Sequence, residues 1–156
     1  SAETTPWPSE TPAAHTFEIF RKPVPRSERL SITDGRVIDL SWSGYNDKGI
    51  YKTFGTPGQP VSLLFDGSGR VRQLLFGSTR ISLPGAVYFL VGRSDRVGQG
   101  YDLLDAADDS QGANWQYADS VWLAIDPLAG TVRAADTRSN ATTVVDSQDF
   151  IRNRSL

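Results

Sequence analysis

The sequence predicts a mainly β fold: an antiparallel sheet with two tight β-hairpins and little helix. Three stretches carry that prediction. Val61–Val71 (VSLLFDGSGRV) and Val121–Val132 (VWLAIDPLAGTV) repeat one pattern, an alternating apolar run, then Asp, a short turn containing Gly, and a β-branched residue that restarts the alternation. Alternation at period two places the apolar side chains on one face of a strand. Asp opens such a turn by bonding backbone N–H groups two residues on, and Gly closes it by accepting positive φ. The third stretch, Ala86–Val91 (AVYFLV), is apolar throughout, which suits a strand buried on both faces.

The elements follow in order. Ser1–Ala14 is rich in Pro and Thr, with Trp7 its one large apolar side chain; residues 1–15 read as a leader or linker. Residues 16–156 read as one β-rich globular domain, the simplest outcome for this length. Thr16–Arg21 (TFEIFR) alternates and is stopped by Pro23 and Pro25, which remove ladder donors. The turn at Asp34-Gly35 precedes a strand over Arg36–Trp42. Ser43–Gly58 reads as a loop with a short strand at Ile50–Phe54. The first hairpin spans Pro60–Phe76, followed by a short strand at Thr79–Leu83 and then the apolar run. Gly92–Asp119 is polar and irregular, with one helical turn near Asp102–Ala107. The second hairpin covers Val121–Asp136. Ser139–Leu156 ends in a short helix, with Ser147 as its N-cap and Phe150 and Ile151 on its apolar side. The total is about seven strands, and such a sheet must cover at least one face, either with a second sheet or with a helix outside these residues.

Composition excludes several functions. The chain has no cysteine and one histidine, His15, in the leader, so disulfides, thiolate metal sites and a multi-histidine zinc site are ruled out. A Ser/His/Asp triad would need that histidine fixed in a cleft. Net charge is −2, and 13 of the 16 basic residues are scattered Arg, so no nucleic-acid partner is expected. No apolar run approaches the ~20 residues that span a bilayer. All four Glu lie before Leu30 and every Asp lies beyond it, from Asp34 on, in keeping with a turn-rich body.

The run Phe65–Val71 (FDGSGRV) resembles the F-D-x-x-G-x-V turn of minor pseudopilins, the prepilin-type proteins of type II secretion and type IV pilus systems. The stretch from Pro23 through Leu30–Leu40 to Ser43-Gly44 is similar to the segment that follows the N-terminal helix in such proteins. Val87–Arg93 and Val121–Val132 are similar to their later strands. The resemblance covers roughly Phe17–Asp136 and implies a pilin-like β-domain, α+β once its N-terminal helix is counted. It implies a periplasmic domain anchored in the inner membrane through a helix absent from these residues. Its partners would be other pseudopilin subunits and secreted cargo, and its role structural and non-enzymatic, without cofactor. The apolar helix and its cleavage motif do not occur in these residues. An exposed apolar strip is expected where such a helix would dock.

Candidate chemistry is sparse. The acidic loop with Asp102, Asp105, Asp108 and Asp109, and Asp119 beyond it, offers oxygen ligands for calcium as an alternative to a solvated loop, but lacks the D-x-D-x-D-G spacing and a closing Glu. Asp66 and Asp126 form a notional glycosidase pair; their equivalent places in two hairpins favour turn capping. Asp39, between Ile38 and Leu40, is read as a structural ion pair with Arg36 or another Arg. The Gly-x-Gly runs at 67–69 and 98–100 read as turns rather than phosphate loops. Trp42, Tyr45, Tyr51, Trp115, Tyr117 and Trp122 allow a second class of function, a free-standing β-sandwich that stacks on carbohydrate, with one or both of Trp42 and Trp122 facing a partner; the plainer reading places these rings in the core or under the long loops.

Overall fold

The computed structural model describes residues 31–55, 58–82, 85–100 and 112–153. The leader with Trp7 and His15, the strand expected at Thr16–Arg21, the helical turn at Asp102–Ala107 and the acidic loop lie outside them. The described residues form two antiparallel sheets and very little helix. The larger sheet contains β1 (Arg36–Ile38), β2 (Gly44–Asp47), β3 (Ile50–Thr53), β7 (Val87–Arg93), β8 (Val121–Ile125) and β9 (Val132–Asp136), in the order β3-β2-β7-β8-β9 with β1 also on β7. The smaller is the meander β4 (Val61–Phe65), β5 (Val71–Phe76) and β6 (Thr79–Ser82). The C-terminal region holds α1 (Val144–Ser147) and α2 (Asp149–Arg152).

Both hairpins form where alternation and turn residues place them. In each, the Asp side chain caps its turn: Asp66 Oδ1 accepts from the amides of Ser68 (2.8 Å) and Arg70 (3.1 Å), and Asp126 Oδ1 from those of Leu128 (2.8 Å) and Ala129 (3.0 Å). The turns also meet each other. The Val71 amide donates to Pro127 O at 2.9 Å, and a Cβ added to Gly130 would lie 1.9 Å from Gly69 O. Gly130 and Gly69 have φ of +67° and +83°, so glycine serves here both for its backbone freedom and for close approach. The apolar run becomes β7, the central strand, with Val87 and Leu90 wholly buried.

Three expectations are corrected. The strand from Arg36 stops at Ile38, because Asp39 bends the chain: its carboxylate accepts from the Ser41 amide and its carbonyl from the Ser43 amide. The bend stays stitched to β7, since the Asp39 amide donates to Leu90 O and the Leu90 amide to Ser43 Oγ. β1 and β2 thus lie along one side of β7 as a single interrupted strand. The loop expected at Ser43–Gly58 contains a hairpin, β2–β3, turning at Lys48-Gly49 with positive φ at both residues. The C-terminal N-cap is Thr143, whose side chain accepts from the Asp146 amide; Ser147 is the last residue of α1. Ile151 is buried there as expected, but Phe150 is exposed.

Candidate assembly surface

The two faces of the larger sheet follow from its register. Cross-strand partners point the same way, and successive residues point oppositely. Tyr88, Leu90, Trp122, Ala124 and Ala135 share one face and pack with Trp115 and Ile151. A cap formed by residues 112–117 and the C-terminal helices covers this face. Trp122 is wholly buried, and its Nε1 donates to Ser147 Oγ at 3.2 Å. Tyr51 donates its hydroxyl to Trp42 O, and burial pushes its phenol pKa up. Arg152 lies over the Tyr88 ring at 5.0 Å and donates to Asn46 Oδ1, tying α2 to β2. At the rim, Asn114 fills the space above Gly92. It donates to Asp39 Oδ2 (2.9 Å) and Arg93 O (3.1 Å) and accepts from the Arg93 amide (2.8 Å). Asp39 is therefore buried on amide and backbone donors, where an arginine was expected.

The opposite face carries three cross-strand rows. Tyr45, Val87, Ile125 and Val132 form one; Phe89, Leu123 and Ala134 the next; Ile38, Val91, Val121 and Asp136 the third. The smaller sheet packs on the first row through Val71, Leu74 and the Tyr45–Phe54–Phe76 cluster, where Phe54 and Phe76 lie 5.2 Å apart. Cover fades along and across the face. Tyr45 and Val87 are buried; Phe89, Leu123, Val91 and Val121 are half-buried; Ala134 is exposed, as are Ile38 at 40% and Val132 at 61%. The result is a half-covered apolar face running from Ile38 to Val132.

Asp34, Gly35, Arg36, Arg93, Ser94, Asp95 and Asp119 line a cleft of about 430 Å³. Its charges neutralise one another. Arg93 grips Asp95 with two hydrogen bonds (3.1 and 2.7 Å), and these hold the Asp95 carboxyl below its ordinary range. Arg36 bonds Asp119 O, and buried Arg96 stacks over the Tyr117 ring at 3.4 Å with Asp119 at 3.8 Å. Two arginines and three aspartates line the cleft, and buried Arg96 behind Asp119 brings the local charges into balance.

Asp66 and Asp126 are each held by their own turns. Gly67–Gly69 leads directly into β5 rather than a helix. No group of three metal-ligating side chains occurs among the described residues, and no helix there is long and apolar enough to cross a membrane. The aromatic platform expected for carbohydrate is not assembled from these residues. Trp122, Trp115 and Tyr45 are core; Trp42 is half-buried, edge-on to Trp115 at 5.9 Å, with its Nε1 bonded to Gln99 O. Of the two tryptophans, Trp122 thus lies in the core, as the plainer reading has it, and Trp42 is half-buried.

The half-covered face escaped residue-by-residue reading because Phe89 and Leu123 have the same pattern as core residues. Its extent is set by where the three strands of the smaller sheet stop. No family model matches this chain, and no curated protein or solved structure matches it significantly.

Proposed function

We propose that this domain is the body of a structural subunit in a pseudopilus or type IV pilus-like assembly. It acts by protein–protein contact, with a periplasmic location and a membrane anchor upstream of Ser1. The observation that carries the reading is the half-covered apolar face from Ile38 to Val132. An apolar sheet face open to water is stabilised by an apolar partner, at about 25 cal/mol for each Å² removed from water. A helix of about 10 Å diameter, lying across strands spaced about 4.8 Å apart, covers two of them, which fits the uncovered parts of β8 and β9. The internally neutralised cleft and the turn-bound aspartates are compatible with a surface that works by complementarity.

The test lies in the encoding gene and in the cell. Codons upstream of Ser1 should specify about 20 apolar residues behind a short basic leader. In the full polypeptide, Val132→Asp should leave the domain folded and abolish cross-linking between subunits in membranes. A start codon immediately before Ser1, or cross-linking unchanged by the substitution, would falsify the proposal.

A further inference from the structure

Two Asp-Gly pairs occur in the chain, Asp34-Gly35 just before β1 and Asp66-Gly67 in the tip of the first hairpin. Both aspartates are exposed. Glycine has no side chain to crowd its own nitrogen, so in each pair that nitrogen can reach the carboxyl carbon of the preceding side chain. The structure holds the two carboxyls very differently.

Asp66 is fixed as a carboxylate. Its Oδ1 accepts from the Ser68 amide (2.8 Å), the Ser68 hydroxyl (2.6 Å) and the Arg70 amide (3.1 Å), and these bonds keep its carboxyl below the ordinary range. Its backbone is fastened as well, since the Asp66 amide donates to Arg70 O (2.9 Å) and Asp66 O accepts from the Gly69 amide (3.0 Å). Attack on that carboxyl requires it to be protonated and turned away from all three donors.

Asp34 is held by far less. Among the described residues its side chain has one partner, the Thr33 hydroxyl at 3.2 Å. The Gly35 amide donates to no group there, and a Cβ on Gly35 would meet nothing nearer than Ser94 Oγ at 4.0 Å. Asp34 also stands at φ +62°, a left-handed conformation that strains any residue with a Cβ. A long bond, from the Arg36 amide to Thr33 O at 3.3 Å, closes the turn over it.

We propose that Asp34 is a site of spontaneous isomerisation to isoaspartate, and that Asp66 is protected from the same reaction. The Gly35 nitrogen bonds to the Asp34 side-chain carboxyl carbon; its proton and the carboxyl hydroxyl leave as water, closing a succinimide ring. Water then reopens the ring. Breaking the new bond restores aspartate, whereas breaking the original peptide bond leaves the chain running through Cβ and Cγ. Nothing is oxidised or reduced, and the mass is unchanged. The main-chain carboxylate set free is the methyl acceptor for isoaspartyl carboxyl methyltransferases, the class of enzyme that would read this site. The extra main-chain atom falls beside the bond from the Ser94 amide to Gly35 O (2.8 Å), next to the Arg36–Arg93 pair where β1 meets β7. The inference is independent of the assembly reading, since the reaction occurs in an isolated chain.

Ageing the full chain at neutral pH, followed by tryptic mapping with electron-transfer fragmentation to separate the two linkages, tests the proposal. Isoaspartate is expected in the peptide of residues 30–36. In the peptide of residues 53–70 it should form about tenfold more slowly, a ratio equal to the about 1.4 kcal/mol that one or two hydrogen bonds supply. In urea the two rates should converge. Equal rates in the folded chain, or a contrast undiminished in urea, overturn the proposal.

Two variants sharpen the outcome. Ser68→Ala removes one donor from Asp66 and should raise isoaspartate there several-fold without changing Asp34; no rise would remove the basis of the protection. Asp34→Ser should abolish most of the methyl transfer from labelled S-adenosylmethionine to the aged protein by an isoaspartyl methyltransferase. Undiminished labelling would place the reactive site elsewhere and overturn the assignment.

Discussion

The two faces of the larger sheet are built from the same strands, yet they are finished differently. On the Trp122 face, large side chains are covered from Tyr88 to Ala135, and the polar groups of the cap are spent on hydrogen bonds to strand and rim. On the Leu123 face, cover is complete only over Tyr45, Val87 and Ile125 and fails toward Ile38, Ala134 and Val132. Apolar alternation alone is therefore a poor guide to what is core. The second layer decides, and here that layer is three strands wide on one face and a continuous cap on the other.

The largest expected effect breaks the sealed face. Trp122→Ala should cost about 3–5 kcal/mol, whereas Val132→Ala on the open face should cost under about 0.5 kcal/mol. Urea denaturation of the two variants measures the contrast directly, and equal losses would mean that the open face is covered in solution. Gly130→Ala comes next. It forces a side chain into left-handed backbone against Gly69 O and should cost about 3 kcal/mol, read in the same titration. Asn114→Ala tests the rim of the sealed face. It strips a partner from buried Asp39 and from the Arg93 amide, so a loss of about 2 kcal/mol is expected. A neutral result would show that water replaces the amide.

The smallest effect concerns pH and is confined to exposed groups. Ser68, Lys52 and Arg93 hydrogen bonds hold the carboxyl pKa values of Asp66, Asp47 and Asp95, respectively, below their ordinary range. A carboxyl depressed in the folded state contributes stability above its unfolded value and loses it as pH falls through the folded value. Thermal unfolding should therefore be insensitive to these groups at neutral pH and decline below about pH 4. Asp66→Asn should make that decline shallower; an unchanged slope would place the acid sensitivity elsewhere.

Much of the fold was legible because local and tertiary signals agreed. Asp66 and Asp126 mark turns that their own side chains cap, and the unbroken run at Ala86–Val91 suits the central strand that it forms. β2 was hidden because Gly44, Asn46 and Asp47 are turn-formers by composition. The pairing with β3 demands glycine at 44, where an added Cβ would lie 2.0 Å from Lys52 O. The bend at Asp39 was hidden by its apolar neighbours, since its reason is a side chain 75 positions away, Asn114. The resemblance led only to the expectation of an apolar strip, with no residues named for it. Its outline could not be read from sequence, because Leu123 and Trp122 follow the same alternation and differ only in what lies above them.

The contact between the two hairpin tips has a consequence for how the chain can vary. Val71 and Pro127 share a hydrogen bond across the pair, and Gly69 and Gly130 touch through backbone alone. One extra residue in either tip would draw the two loops apart and loosen the corner joining the sheets. Insertions at the two positions are thus tied, and lengthening is tolerable only when both tips change in step.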